Sequence, residues 1–407
     1  MPIRTVLISG AGIAGPALAH WLGRHGFEPT VVEIAPALRP GGQAVDFRGA
    51  THLTVLDRMG VLDALRRLRT GGSPMTFVDT NGVPRLRLPA EFAGGEIEVL
   101  RGDLSRVLHE ASLPCTEYVF GDSITTLTET PTGVDVTFRH APPRSFDLVI
   151  GADGLHSHVR RLAFGPEEEH VTHLGYYAAS WSLPDAPALA LPADGTTVGL
   201  NAPGRLASVG RDHTDPTRAR AFFVFASPRL PPTAEAATQK RILTSAFSGL
   251  GWHVPHLLDT LTLAPAADFY FDSLSRADVP TWSTGRIALV GDAACGATLG
   301  GMGTGTGVVA AYVLAGELAR SPQDHRAAFT RYENLLRDYA QGCQKGGDRT
   351  GRFLAPATRT GLRLRNGLLS RPRILDWMLR EGQKTSSLPL PSYPTPSHPT
   401  PSSPPHP

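Results

Sequence analysis

Short runs of apolar, β-branched residues alternate along most of the chain with longer stretches in which apolar positions recur every three or four residues. This alternation of periods predicts strands and helices in turn. Residues 3–9 read as a strand, 14–26 as a helix with Leu18, Ala19 and Leu22 on one side, and 29–34 as a second buried strand. Across 52–69, Leu53, Leu56, Met59, Leu62, Leu65 and Leu68 recur at three-residue steps with arginines between them, which predicts one amphipathic helix. Residues 74–100 switch to short alternating segments around Thr80-Asn81-Gly82, the pattern of a hairpin. A helix at 104–111, a hairpin of 122–129 and 133–139, and a buried strand at 146–150 follow.

From 168 to 283 the pattern is mainly strands, at 175–181, 196–200 and 219–226, with one helix near 233–249. A buried strand at 286–290 leads into a glycine-rich loop and a long apolar helix at 304–320, with further helices at 324–341 and 371–381. The segment from Ser386 to Pro407 is rich in proline and serine and is expected to be a disordered tail. The pattern implies an α/β fold. The expected architecture is a Rossmann-type nucleotide-binding domain assembled from non-contiguous segments (1–73, 99–167 and 284–345), with an inserted, mainly antiparallel β-sheet domain (74–98 and 168–283) as the candidate substrate domain. A helical C-terminal region covers 346–385, followed by the tail at 386–407.

Composition narrows the class. A formal net charge of +2 gives no reason to expect a nucleic-acid or anionic-membrane partner. Three cysteines, Cys115, Cys295 and Cys343, form no CxxC pair and point to a reducing compartment. The sequence shows no secretory signal, no apolar stretch of about 18 residues that would span a membrane, and no metal-ligand spacing. The expectation is a cytoplasmic protein, monomeric or weakly dimeric, acting on a small molecule.

The chemistry sits in glycine turns. Gly10-Ala-Gly12-Ile-Ala14-Gly15 lies between the first strand and the first helix. Gly10 permits the tight turn, Gly12 lets backbone approach a pyrophosphate, and Gly15 lets helix and strand pack closely. The helix N-terminus then offers unpaired N–H groups and a partial positive charge to phosphates. Glu33 ends the second strand, where a carboxylate accepts from the hydroxyls of an adenosine ribose and repels a 2′-phosphate; FAD or NAD is therefore expected in this fold. Two more turns repeat the strand–glycine–acid pattern, Gly151-Ala-Asp153-Gly154 and Gly291-Asp292-Ala-Ala. Taken singly, each aspartate reads equally well as a helix cap.

The ordered set GxGxxG with Glu33, then Arg101-Gly-Asp103-Leu, then GADG-x-x-S-x-V-R, then GDAA resembles the flavoprotein aromatic hydroxylases. These include para-hydroxybenzoate hydroxylase and the tetracycline-inactivating monooxygenases, and the resemblance covers roughly residues 3–345. Gly41-Gly42-Gln43-Ala44-Val45-Asp46 followed by Arg48-Gly49 is similar to the second FAD-contacting loop of the tetracycline-type members. The resemblance implies that Glu33 holds the adenosine ribose, Arg101 lies along the FAD, and Asp292 binds a ribityl hydroxyl. It implies that Asp153 belongs to a motif touching FAD and NADPH, and that Arg39 and Asp46 match contacts to NADPH and FAD respectively. Arg160 reads equally well as structural, in an ion pair. Gly301, Met302 and Gly303 would lie along the isoalloxazine, with the helix after them directing its N-terminus at the pyrimidine end. The implied reaction is hydroxylation of an aromatic or polycyclic substrate through a flavin C4a-hydroperoxide, with NADPH or NADH as co-substrate. A single dinucleotide fingerprint is present, so the nicotinamide would bind transiently over the flavin. No residue is singled out as an acid, base or nucleophile.

Two points depart from the family pattern. After GDAA the run Cys295-Gly296-Ala297-Thr298-Leu299 is one residue shorter than usual, and Thr298 stands near a position normally held by proline. A free N–H and no fixed φ there predict a softer wall beside the flavin and leakage of peroxide. Cys295 reads as a small buried hydrophobe before a redox thiol. Tyr176, Trp181, Phe223 and Phe225 are candidates for the substrate surface and equally for core. A non-hydroxylating enzyme of the same fold (cyclisation or dehydrogenation) and a non-catalytic FAD-fold carrier are the alternatives. The Trp-x-Trp-x-Ile-Pro motif of the related halogenases does not occur.

Overall fold

The computed structural model describes residues 3–39, 42–184, 189–212, 215, 217–231, 235–300, 302–385 and 387–394. The strand Thr5–Ser9 is apolar through Val6, Leu7 and Ile8, all fully buried in a core that its sheet shares with the nucleotide-domain helices and with Ile124, Val134, Val136 and Phe146 of a three-stranded antiparallel sheet, Ile124–Glu129, Val134–Phe138 and Arg144–Phe146. It lies at the centre of a sheet ordered Ser283–Thr284, Ile287–Leu289, Leu148–Gly151, Thr5–Ser9, Glu28–Glu33, Glu117–Phe120. Every pairing in it is parallel except that of the short edge strand Ser283–Thr284. The helices Ala14–Arg24 and Gly303–Arg320 pack on this sheet, so turns that are far apart in sequence share its carboxyl edge.

A second, seven-stranded sheet runs Tyr270–Ala277, Val171–Pro184, Arg218–Ala226, Arg205–Arg211, Thr197–Ala202, Met75–Val78, Pro84–Leu88. It is antiparallel except where Thr197–Ala202 runs parallel to Met75–Val78. The period-2 alternation of its strands gives it two apolar faces. One carries Tyr177, Trp181, Phe223 and Phe225 and is covered by two helices, Ala236–Phe247 and Val254–Leu263, where the sequence predicts only one. The other carries Phe77, Tyr176, Leu206 and Val224 and faces Leu299, Phe353 and the C-terminal helices.

The helix His325–Leu354, 30 residues long, ties the two sheets together. Its first half buries Phe329, Tyr332 and Leu336 in the nucleotide-domain core, and its last turn sets Phe353 and Leu354 against the seven-stranded sheet. Gly351 allows that approach, since a Cβ there would lie 2.4 Å from the Tyr176 ring. The helices Arg359–Leu369 and Pro372–Thr385 complete the C-terminal region.

Two expectations are corrected. The predicted helix at 52–69 is two helices, Gly49–Arg58 and Leu62–Arg67, because Gly60 between them adopts φ +76° and turns the chain. The predicted disordered tail is docked over 387–394. Leu388 exchanges hydrogen bonds with the Thr51 hydroxyl (3.1 and 2.8 Å), and Arg58 and Tyr312 donate to the Pro391 carbonyl. Tyr393 is buried beside Gly316, and its hydroxyl donates to Glu317 Oε1 at 2.7 Å. Three apolar side chains, Leu388, Leu390 and Tyr393, are enough to hold this proline-rich strap against the core. The remainder of the expected tail, 386 and 395–407, lies outside the described residues.

Candidate flavin site

The first glycine turn is closed by backbone contacts that only glycine permits. Gly10 has φ +105°, and its N–H donates to the Val32 carbonyl at 2.8 Å. A Cβ on Gly15 would lie 1.9 Å from the Gly10 carbonyl oxygen. Ala14 is buried, and its methyl fills the space beside Gly291. Ser105 Oγ donates to the Gly12 carbonyl at 3.0 Å and steadies the turn from the helix Arg101–Ser112. Glu33 reaches back over the turn: its carboxylate accepts from the N–H of Ala11 (2.8 Å) and of Ala35 (3.0 Å). These two bonds aim the carboxylate at the mouth of the turn, where a ribose would meet it.

Arg101 opens its helix next to this turn. Its Nη2 would stand 3.4 Å from a Cβ on Gly12, and its own Cβ would stand 3.3 Å from one on Gly42. Asp292 opens the short helix Asp292–Cys295. Its Oδ1 is buried without a hydrogen-bond partner among the described residues and would lie 2.6 Å from a Cβ on Gly303. Burial raises the Asp292 pKa, and the positive charge of Arg101 opposes that rise. A buried carboxylate oxygen with an open valence, beside a helix N-terminus, is a receptor for a hydroxyl or N–H from a bound molecule. Gln43, in the loop of the second FAD-contacting pattern, has a buried donor, Nε2, without a partner among the described residues. Tyr270, at the start of its strand, lies within electrostatic reach of both Arg101 and Asp292.

The two other acidic turn residues make local bonds. Asp153 accepts from the Ser157 hydroxyl and from the N–H groups of His158 (2.8 Å) and Val159 (3.0 Å), so its carboxylate locks its own turn. Asp46, on the strand Ala44–Phe47, forms an ion pair with Arg48. Arg39 is exposed on the loop beyond Glu33. Arg160 is structural: it is fully buried and donates to the carbonyls of Ala293 (2.9 Å) and Leu155 (2.6 Å), tying the second turn to the third. Gly301 lies outside the described residues.

The loop after Asp292 is held differently from the sequence expectation. The Thr298 N–H is not free; it donates to the Ser275 carbonyl at 2.9 Å. The Ala277 N–H donates to the Gly296 carbonyl at 2.9 Å, and Ala297 bridges Arg276. The shortened loop is thus paired to the strand Tyr270–Ala277, which supplies the rigidity that proline would give. Beyond it Leu299 (φ +59°) and Met302 (φ +51°) are left-handed without being glycine, a strain of roughly 1 kcal/mol each that collects at functional sites. Met302 is the N-cap of the helix Gly303–Arg320. Cys295 is buried, and burial raises its thiol pKa, which leaves it protonated and unreactive.

Of the four aromatic candidates, Trp181, Phe223 and Phe225 are core on the far face of the sheet. Trp181 packs on Phe223 at 4.9 Å, and Phe223 on Phe247 at 4.5 Å. Only Tyr176 shares the face with Leu299. Its companions Phe77 and Phe222, with Phe353 and Phe92 stacked at 5.3 Å, were missed because alternation defines two faces without saying which one meets the loop. Arg365 was missed as well; its guanidinium lies 4.4 Å over Phe77 and donates to Asn201 Oδ1 at 2.6 Å, and burial lowers its pKa to about 10.

Three acid-bearing glycine turns on one sheet edge, with an open carboxylate oxygen at a helix N-terminus, define a dinucleotide-binding flavoprotein. The FAD-binding-domain family matches residues 4–346, and the chain belongs to it, among the FAD-dependent monooxygenases of the aromatic-hydroxylase type. It is 42% identical to the uncharacterized protein Rv1260 of Mycobacterium tuberculosis, over 81% of this chain and 89% of that one. It is 37% identical to a flavin-dependent monooxygenase of Legionella longbeachae, over 84% and 87% of the two chains. Among solved structures, tetracycline destructase Tet(55) superposes with a TM-score of 0.81 at 33% identity, over 96% of this chain and 99% of that one. Among the described residues, no helix is long and apolar enough to cross a membrane.

Proposed function

We propose that this enzyme hydroxylates a flat, apolar, aromatic or polycyclic substrate, using dioxygen and a reduced nicotinamide. The observation that carries the reading is the substrate-sheet face of Phe77, Tyr176, Phe222 and Val224, which closes on Leu299 of the loop that follows Asp292. Such a wall selects planar apolar molecules by contact area and excludes water. In the balanced reaction one atom of dioxygen enters a ring carbon and the other leaves as water; NAD(P)H supplies the two electrons.

FAD fits the residues present, and when bound it supplies the two-electron chemistry and the activation of oxygen. The turn 10–15 and Glu33 would hold its adenosine half, Arg101 and Gln43 its middle, and Asp292 a ribityl hydroxyl. The N–H groups at the start of Gly303–Arg320 would face its pyrimidine end and favour the negative charge of the reduced form. The wall built by Thr298 and Ser275 keeps the loop fixed while substrate is held against it. NADPH or NADH would bind transiently from the side of Arg39, which matches an NADPH contact of the tetracycline-type members. The relatives support the same reading: one is a flavin-dependent monooxygenase, another a tetracycline destructase. The test is NADPH and NADH oxidation by the flavin-loaded protein with and without a panel of phenols and polyketides. Stimulation by a panel member supports the reading; oxidation that no member changes counts against it.

A further inference from the structure

The helix Gly49–Arg58 buries one histidine, His52, which is 1% exposed. Its Nδ1 accepts the N–H of Arg48 at 3.2 Å; a backbone N–H can only donate, so Nδ1 carries no proton. The proton of the neutral ring is therefore on Nε2, which donates to the Tyr339 hydroxyl at 2.7 Å. Burial lowers the His52 pKa to about 4 and keeps the ring neutral under ordinary conditions. Both nitrogens are committed, and the plane of the imidazole is fixed.

The fixed ring lies flat against the first turn of Gly303–Arg320. A Cβ on Gly305 would stand 2.3, 2.5 and 2.6 Å from Cε1, Nε2 and Nδ1, near-equal distances that place Gly305 over the ring face. Tyr339, on His325–Leu354, also interacts with Thr306 of that turn, and Thr306 Oγ1 donates to the Met302 carbonyl at 3.1 Å. Thus Arg48, His52, Tyr339, Thr306 and Met302 form one chain of contacts behind the helix start, on three separate elements.

We infer that His52 is a positioning residue for the flavin: its hydrogen-bonded ring is the seat that sets how far the N-terminus of Gly303–Arg320 projects toward the pyrimidine end. The inference rests on the FAD reading above. Without the seat, the first turn relaxes back into the space of the ring, and its N–H groups withdraw from the charge that develops on reduction.

The experiment is the two-electron midpoint potential of the bound flavin in wild type, His52→Leu and Tyr339→Phe, with FAD content and melting temperature recorded for each. His52→Leu is expected to lower the preference for reduced over oxidised flavin about tenfold, a fall of about 30 mV. Tyr339→Phe leaves the ring in place but untethered and is expected to shift the potential the same way by less. It also keeps the test open if His52→Leu does not fold. Wild-type potentials in a folded, flavin-loaded variant would overturn the inference and leave the FAD reading intact. A wild-type protein that takes up no FAD would overturn both.

Discussion

The backbone N–H of Thr298 donates to the carbonyl of Ser275 at 2.9 Å, and the side chain of Thr298 meets the same residue twice, at 3.3 Å. The position that lacks the family's proline is therefore braced by a strand pairing. Thr298→Pro removes the donor and leaves the Ser275 carbonyl unpaired, at a cost of about 1–3 kcal/mol. The variant should melt lower and release more peroxide per NADPH consumed, while Thr298→Val, which keeps the N–H, should stay close to wild type. A proline variant as stable and as well coupled as wild type would show that the pairing does not support the loop.

The strap 387–394 yields a second expectation. Truncation after Thr385 exposes the socket of Tyr393 and strips Glu317, which is fully buried, of one donor. Burial of one large apolar side chain stabilises by about 1.5–3 kcal/mol, so the melting temperature should fall by roughly 2–4 °C. Truncation after Pro394 should leave it unchanged. Equal melting temperatures for the two truncations would mean that the strap contributes nothing in solution.

His156 joins the second glycine turn to the seven-stranded sheet, with Nδ1 2.9 Å from Glu167 Oε1 and Nε2 3.2 Å from both oxygens of Asp272. The Asp272 hydrogen bond, helped by Glu167, raises its pKa from 6.5 to about 9. A raised folded-state pKa gives stability that is fully present below pH 6.5 and is lost as pH rises through about 9. Wild type should therefore lose melting temperature across that window, and His156→Gln should flatten the profile there. Parallel profiles for the two proteins would contradict the ion pairs.

Asp292 separates binding from stability. Its buried Oδ1 has no partner among the described residues, and burial raises its pKa. Asp292→Asn should leave the flavin-free protein as stable as wild type or more so, yet weaken FAD about tenfold, since a charge-assisted bond is lost. A variant with wild-type FAD affinity would remove Asp292 from the site.

The glycine turns and Glu33 were legible in the sequence because each is a local requirement: Gly10 at φ +105°, Gly15 against the Gly10 carbonyl, a carboxylate at a strand end. Four strands of the nucleotide domain were legible for the same reason, as continuous apolar runs, whereas Glu117–Phe120 and Ser283–Thr284, at the two edges of that sheet, were not. What was not legible depends on partners distant in the chain. Nothing near Thr298 shows that its N–H meets Ser275. The seat of His52 needs Tyr339 and Gly305, which lie some 250 to 290 positions away on two other helices. The strap was hidden by composition, since prolines and serines outnumber the three apolar side chains that dock it. The two-helix break at Gly60 was masked because three-residue spacing continues across the turn.

The central claim is that one oxygen atom passes from dioxygen to an aromatic ring held against the Phe77–Tyr176 face beside the flavin loop. Its most direct test is a single-turnover reaction of the reduced, FAD-loaded protein with isotopically heavy dioxygen and a substrate that stimulates NADPH oxidation. The account predicts a product carrying one heavy oxygen on a ring carbon, with the other recovered in water. A product with no heavy oxygen, or a substrate returned unchanged with all the heavy oxygen in peroxide, would contradict it.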